Sequence, residues 1–362
     1  MLYHLLYPLR DLWFGFNVFK YITFRAAMAS ITAFLLSVIL GPIIIKMLSR
    51  LKVGELPRRS YVEPLYQLHK HKTGTPTMGG LIIIVSVLIS ALLWSRLDNS
   101  FVILCLISML WLALVGFVDD YIKLIKPGSL GLSATTKFVG QLLLAFGVAL
   151  YLFFTLNMST ELYLPFVKNA VVNLGIFYIL FMVLVIVGAS NAVNITDGLD
   201  GLAIGCVSFI ALTYGVVTYL TGHVELSSYL NIYYLAGSSE LAVLCAIIAG
   251  SGLGFLWFNS YPATVFMGDT GSLPLGGAIG LISVLVKKEF LLLIVGGIFV
   301  FEVLSVIIQV VSFRVFGRRV FLMAPIHHHF QLKGWPESKI TVRFWIIAIS
   351  LGLFGLATLK LM

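Results

Sequence analysis

Phe177-Tyr178-Ile179-Leu180-Phe181-Met182-Val183-Leu184-Val185-Ile186-Val187 carries no charged side chain. It leads into Asn191-Ala192-Val193-Asn194-Ile195-Thr196-Asp197-Gly198-Leu199-Asp200-Gly201, after which a second apolar stretch runs to Leu220. A bilayer core takes roughly 20 apolar residues as helix, so the two flanks read as membrane spans and the polar motif as a boundary between them. The same pattern recurs along the chain. Windows of suitable length fall near 22–45, 79–95, 101–118, 138–156, 173–190, 199–220, 239–257, 272–286, 290–312 and 341–361. The expected fold is all-α, a polytopic membrane protein of about ten transmembrane helices forming a single domain over 1–362. Residues 1–21, with Tyr3, Tyr7, Trp13, Phe14, Phe16 and Phe19 and no small-residue cleavage site, read as an interfacial segment rather than a cleaved signal peptide.

Composition agrees: 60% of residues are hydrophobic and 11% are charged, too little charge for a soluble surface. Cys105, Cys206 and Cys245 lie inside apolar windows without metal-ligand spacing and read as reduced. The net charge of +9 is unevenly placed. Fifteen Lys and Arg, from Lys46 to Lys72, Lys123 to Lys137 and Arg314 to Lys339, fall on one set of loops and seven on the other. That asymmetry predicts a cytoplasmic position for the richer set and external termini. It reads as topology and attraction for anionic lipid and phosphate, not as a nucleic-acid surface.

Among only fifteen acidic residues, Asp119, Asp120, Asp197, Asp200 and Asp269 sit where spans meet the basic loops. Carboxylates crowded at one membrane border read as a site. Asp119 and Asp120 are expected to end the third span, where the helix dipole is unfavourable to them, so Lys123, Lys137 or a metal should compensate. The 194–201 motif is expected to open the sixth span, with Thr196 or Asp197 as its cap and free N–H groups suited to phosphate. Gly268-Asp269-Thr270-Gly271-Ser272 repeats this before the eighth span, although an ordinary turn would look the same.

Three further places carry chemistry. His69-Lys70-His71-Lys72-Thr73-Gly74-Thr75-Pro76-Thr77 precedes the second span, where Lys72 and the hydroxyls can reach phosphate or simply form a basic flank. His327-His328-His329 lies in the last cytoplasmic loop. Three consecutive imidazoles point in different directions, so hydrogen bonding to phosphate or sugar suits them better than one zinc. Glu302, with Gln309 two turns on, is expected only to make an interhelical hydrogen bond.

Five segments in order resemble the polyprenyl-phosphate N-acetylhexosamine-1-phosphate transferase superfamily, and within it the phospho-N-acetylmuramoyl-pentapeptide transferase family. They are Gly-Thr-Pro-Thr-Met-Gly-Gly at 74–80, Gly-Phe-Val-Asp-Asp-Tyr at 116–121, the stretch 191–201, Phe-Met-Gly-Asp-Thr-Gly-Ser at 266–272, and Ala-Pro-Ile-His-His-His-Phe at 324–330 before Gly334-Trp335-Pro336-Glu337. The stretch from Gly54 to His69 departs from the family pattern, where a shorter loop with Gly-Pro is usual.

The resemblance implies a Mg²⁺-dependent enzyme of the bacterial cytoplasmic membrane. It would join undecaprenyl phosphate to UDP-N-acetylmuramoyl-pentapeptide within a lipid membrane, as a homodimer. It places Asp119, Asp120, Asp197, Asp269 and His327 in catalysis, with the metal chiefly on Asp269 beside Asp119 and Asp120. Lys72, Thr77, Lys137, Asn194 and Asp200 fall to phosphate and nucleotide, and Asn259 and Phe266 to the neighbourhood of uracil. Gln309, His328 and His329 fall to the donor sugar. A sister enzyme moving N-acetylglucosamine-1-phosphate would share the Asp motifs but not the 324–337 segment. A membrane transporter would hold its acids nearer the midplane.

Overall fold

The computed structural model describes residues 1–50, 72, 74–125, 131–164 and 171–361. The loop at 54–69, and with it Lys52, Arg58, Arg59, His69, Lys70, His71, Lys126 and Lys168, lies outside the described residues. Ten helices carry the architecture: α1 Ile22–Arg50, α2 Gly80–Trp94, α3 Ser100–Ile125, α4 Ala134–Leu150, α5 Phe177–Thr196, α6 Leu202–Thr221, α7 Leu241–Asn259, α8 Asp269–Leu285, α9 Gly297–Phe316 and α10 Glu337–Thr358. Each overlaps one of the apolar windows. Eight of these segments are long and apolar enough to cross a membrane, while α2 and α8 are shorter apolar helices. The protein is an integral membrane protein of all-α class; among the described residues it has one short hairpin, β1 Glu161–Tyr163 against β2 Val171–Asn173.

Packing follows side-chain size. On α1, Ile31, Leu35, Ile39, Ile43 and Met47 are exposed, whereas Ala29, Ala33, Ser37 and Gly41 are buried. The four-residue spacing puts each set on its own helix face. The small face meets α7, its most extensive partner, where a Cβ on Gly254 would lie 2.6 Å from the Ser37 Cβ. With apolar lipid outside, helices gain from close backbone approach, and small residues permit it. α8 packs on α3 and α5 and buries sixteen of its seventeen residues.

At the end of the bundle away from the acidic motifs, Arg25 and Glu240 form a bidentate pair, with both contacts at 2.7 Å and both side chains buried. Lys287 donates to the Ser159 carbonyl at 2.7 Å, tying the loop before β1 to the turn after α8.

Four expectations about local structure need correction. α3 continues to Ile125, so Asp119 and Asp120 are not its last residues, and Lys123 lies beyond them within the helix. The 194–201 motif does not open a span. Asn194 and Thr196 belong to the end of α5, and α6 starts after Gly201, whose φ of 72° makes a left-handed N-cap without a side-chain bond. The ninth window is broken at Gly296 into Glu289–Val295 and α9. The histidines lie on a short helix, Ile326–Leu332, rather than in open loop. The first two corrections share a cause: polar turns at a membrane border continue the helix beyond the apolar window.

Candidate active site

Asp119 and Asp120 on α3 face Asp269 at the first position of α8, and one oxygen from each lies within 4.8 Å of the others. Asp119 and Asp120 are buried. Two lysines answer this charge. Lys123 Nζ lies 2.5 Å from Asp119 Oδ2, 3.3 Å from Asp120 Oδ1 and 3.5 Å from Asp269 Oδ2. Lys137 Nζ, from α4, lies 2.5 Å from Asp269 Oδ2 and 3.3 Å from Asp119 Oδ2. The expected compensation by Lys123 and Lys137 is therefore present.

Backbone and amide donors fix the carboxylates further. Asp119 Oδ1 accepts from the Leu132 N–H at 2.8 Å. Asp120 Oδ2 accepts from the Thr270 N–H at 3.0 Å and its hydroxyl at 2.8 Å. Asn194 Nδ2 donates to Asp269 Oδ1 at 2.6 Å and to Ser272 Oγ at 2.8 Å. Segment 76–80 runs beside 265–268: the Phe266 N–H donates to the Pro76 carbonyl and the Gly79 N–H to the Phe266 carbonyl, both at 2.8 Å. That pairing sets Thr77 next to Gly268, where φ is 72° and an added Cβ would lie 2.8 Å from Asp120 Oδ2 and 3.0 Å from Thr77 Oγ1. Only glycine suits both the conformation and the space.

Three carboxylates offering oxygen alone, held by two removable cations, fit a hard divalent ion such as Mg²⁺. A cavity of about 710 Å³ opens beside them, lined by Leu132, Ser133, Lys137, Phe138, Asn191 and Asn194.

A second cluster holds the turn after α5. Lys72 Nζ contacts Asp200 Oδ1 and Glu337 Oε1, each at 2.6 Å, and Glu337 Oε1 also accepts the Asp200 N–H at 2.6 Å. Asp200 Oδ2 accepts from the Ala263 N–H at 3.0 Å. Asn259, expected near a base, is buried and bonds within the protein, accepting from the Gly201 N–H and donating to the Val265 carbonyl. Phe266 is half-buried, with Lys72 Nζ 5.7 Å from its ring centre. Asp197 is half-buried at the end of α5, where its N–H donates to the Asn194 carbonyl at 3.3 Å.

The histidines stand on the short helix Ile326–Leu332. His327 is buried 3.1 Å from Glu302. His328 Nδ1 pairs with Gln331 Oε1 at 2.8 Å, and His329 Nδ1 accepts from the Leu322 N–H at 3.1 Å. Burial and the nearby Lys333 ammonium hold the His329 imidazole below its ordinary pKa. Gln309 grips the same loop, accepting from the Val320 and Phe321 N–H groups and donating to the Phe321 carbonyl. Sequence reasoning missed Thr270 and Glu337. Both lay inside noticed segments, but Glu337 resembles any acidic residue in a first helical turn.

A helical membrane protein with carboxylates, lysines and amides converging at one end of its bundle is the class that fold and site define. The chain belongs to glycosyl transferase family 4, whose model matches residues 101–287, a range that contains the whole three-carboxylate centre. It is a transferase. Curated relatives include the phospho-N-acetylmuramoyl-pentapeptide-transferases of Citrifermentans bemidjiense and of Geobacter sp. strain M21, each 55% identical over 361 residues. That of Desulforapulum autotrophicum is 50% identical over 362 residues. In all three, 100% of this chain and of the relative are covered.

Proposed function

We propose that the protein transfers phospho-N-acetylmuramoyl-pentapeptide from its UDP donor to undecaprenyl phosphate, forming the lipid diphosphate (lipid I) and UMP in peptidoglycan synthesis. One observation carries the reading: over its entire length the chain is at least half identical to transferases of that name. A lipid-phosphate acceptor and a water-soluble nucleotide-sugar donor must meet at the membrane border, and the carboxylate centre stands at the end of the apolar helices.

An oxygen of the lipid phosphate attacks the phosphorus bonded to the sugar. The new P–O bond forms as the bond to the bridging oxygen breaks, and UMP leaves with that oxygen. A phosphate monoester has a second pKa near 6, so the acceptor is largely dianionic at neutral pH and attacks directly. Asp119 and Asp120 orient it and accept any remaining proton. Asp119, Asp120 and Asp269 are the residues to hold Mg²⁺, which when bound neutralises the charge of the diphosphate. Lys137 and Asn194 flank the phosphates, with Lys72, Thr77, Asp197 and Asp200 on the nucleotide side. Asn259 and Phe266 border the base, and His327, His328, His329 and Gln309 border the sugar.

The Lys/Arg asymmetry supports a cytoplasmic centre at the bacterial inner membrane with both termini outside. The resemblance adds a homodimer. Single cysteines near Gly317 should resist an impermeant thiol reagent in intact cells, and labelling there from outside would overturn the orientation.

The decisive assay is UMP release by purified protein with undecaprenyl phosphate, Mg²⁺ and either donor. Turnover is expected with UDP-N-acetylmuramoyl-pentapeptide and almost none with UDP-N-acetylglucosamine, because a site built to hydrogen-bond its substrate rejects an analogue lacking the partner groups. Equal turnover of both would move the protein to the sister reaction.

A further inference from the structure

Glu302 is fully buried in the apolar helix α9, and His327 is fully buried on the Ile326–Leu332 helix. His327 Nδ1 lies 3.1 Å from Glu302 Oε2. The approach is bent, and neither carboxylate oxygen nor either ring nitrogen has a hydrogen-bond partner among the described residues. The other edge of the ring faces Gly198. A Cβ there would lie 3.0 Å from His327 Cε1 and closer still to Nε2. The imidazole is thus wedged between a buried carboxylate and the bare backbone of the turn that separates Asp197 from Asp200.

A carboxylate in the apolar interior is costly unless it has a partner. Buried polar atoms left unbonded are rare in folded proteins, and each calls for a reason. A carboxylate that accepts from an imidazole selects the tautomer with the proton on the ring nitrogen facing it. That leaves Nε2 as the atom presented to the Gly198 turn.

We propose that Glu302 is a positioning residue. It fixes the orientation and tautomer of His327, so that Nε2 is presented at the Asp197–Asp200 turn for the bound donor. This rests on the transferase reading for its substrate, but not for the pairing itself. Glu302 touches no reacting atom, and its effect passes through the imidazole.

Glu302→Gln keeps the shape and an acceptor oxygen but also offers N–H groups, so it no longer selects one tautomer. The expected result is unchanged thermal stability in detergent, a kcat lowered roughly 10- to 100-fold and a donor KM within about twofold, as loss of a charge-assisted hydrogen bond gives. In ¹⁵N spectra of labelled protein, the His327 ring should show Nδ1–H in the parent and a mixture in Glu302→Gln. His327→Asn and the double variant Glu302→Gln/His327→Asn should have equal residual turnover, because Glu302 acts only through His327. Full kcat in Glu302→Gln overturns the proposal. So does multiplication of the two losses in the double variant, or an Nε2–H tautomer in the parent spectrum. If the parent turns over no UDP-sugar, the functional reading fails, and the ¹⁵N spectra still decide the pairing.

Discussion

Asp120 holds Thr270 twice through one carboxylate oxygen, accepting from its backbone N–H at 3.0 Å and its hydroxyl at 2.8 Å. The two residues belong to different helices and lie 150 positions apart. Through this contact the end of α3 fixes the first turn of α8, where Asp269 stands. Asp119 instead accepts a backbone N–H from Leu132, in the loop before α4.

The two neighbours should therefore separate on substitution. Asp119→Asn and Asp120→Asn should both insert and fold with severely reduced turnover. Asp120→Ala should in addition lose stability, because two buried donors of Thr270 are left unpaired at about 1–3 kcal/mol each. Thermal denaturation in detergent measures this. A melting temperature for Asp120→Ala equal to that of Asp119→Ala would contradict the structural role.

Activity should require Mg²⁺ or Mn²⁺ and vanish with chelator. Asp269→Asn removes a ligand charge from the three-carboxylate group and leaves an amide beside Asn194. It should need far higher Mg²⁺ for any residual UMP release. Unchanged turnover at unchanged Mg²⁺ dependence would remove Asp269 from the metal site.

Glu337 Oε1 accepts from both Lys72 and the Asp200 N–H. Glu337→Gln keeps the size but removes the charge that pairs with Lys72. Hydrogen bonds to charged groups contribute about 1.5–3 kcal/mol, so kcat/KM should fall on the order of 10- to 100-fold. Lys72→Met should lose at least as much. Wild-type kcat/KM in Glu337→Gln would mean that the network does not hold the turn in its working shape.

At the opposite end of the bundle, Arg25→Met should strand the buried Glu240 carboxylate and cost about 3–5 kcal/mol, whereas replacing both partners with apolar residues recovers much of it. Turnover per folded molecule should stay unchanged in both variants, since the pair is remote from the carboxylate centre. If the double variant is no more stable than Arg25→Met, the pair is not coupled.

Among the described residues, each helix long and apolar enough to cross a membrane overlaps an apolar window, because a span must be long and uncharged whatever surrounds it. The same windows misplaced Asp119, Asp120 and the 194–201 motif, because hydropathy stops where polar residues begin while the helix runs on to Ile125 or Thr196. The break at Gly296 was invisible for the converse reason: Gly296 and Gly297 sit inside an unbroken apolar run. Acids at one border were legible as a site through their type and crowding. Their pairings were not. Lys72 with Glu337 and Asp120 with Thr270 are contacts between distant segments, and no spacing along the chain encodes them. Glu302 was noticed as an acid within a span, but its partner His327 lies on another element.

α8 has no lipid-facing side, because all of its residues after Asp269 are buried. In a library of single substitutions, its neighbours would feel a change of volume at any of these positions. Tolerance along α8 should thus be low throughout, without the helical rhythm expected of α9, where Phe301, Leu304, Ile308, Val311 and Val315 are exposed. A helix that carries Asp269 at its tip and has no free face has little room to drift. The outward stripe of α9 can exchange one apolar side chain for another, so sequence variation should collect there while the helix holding Asp269 stays nearly fixed.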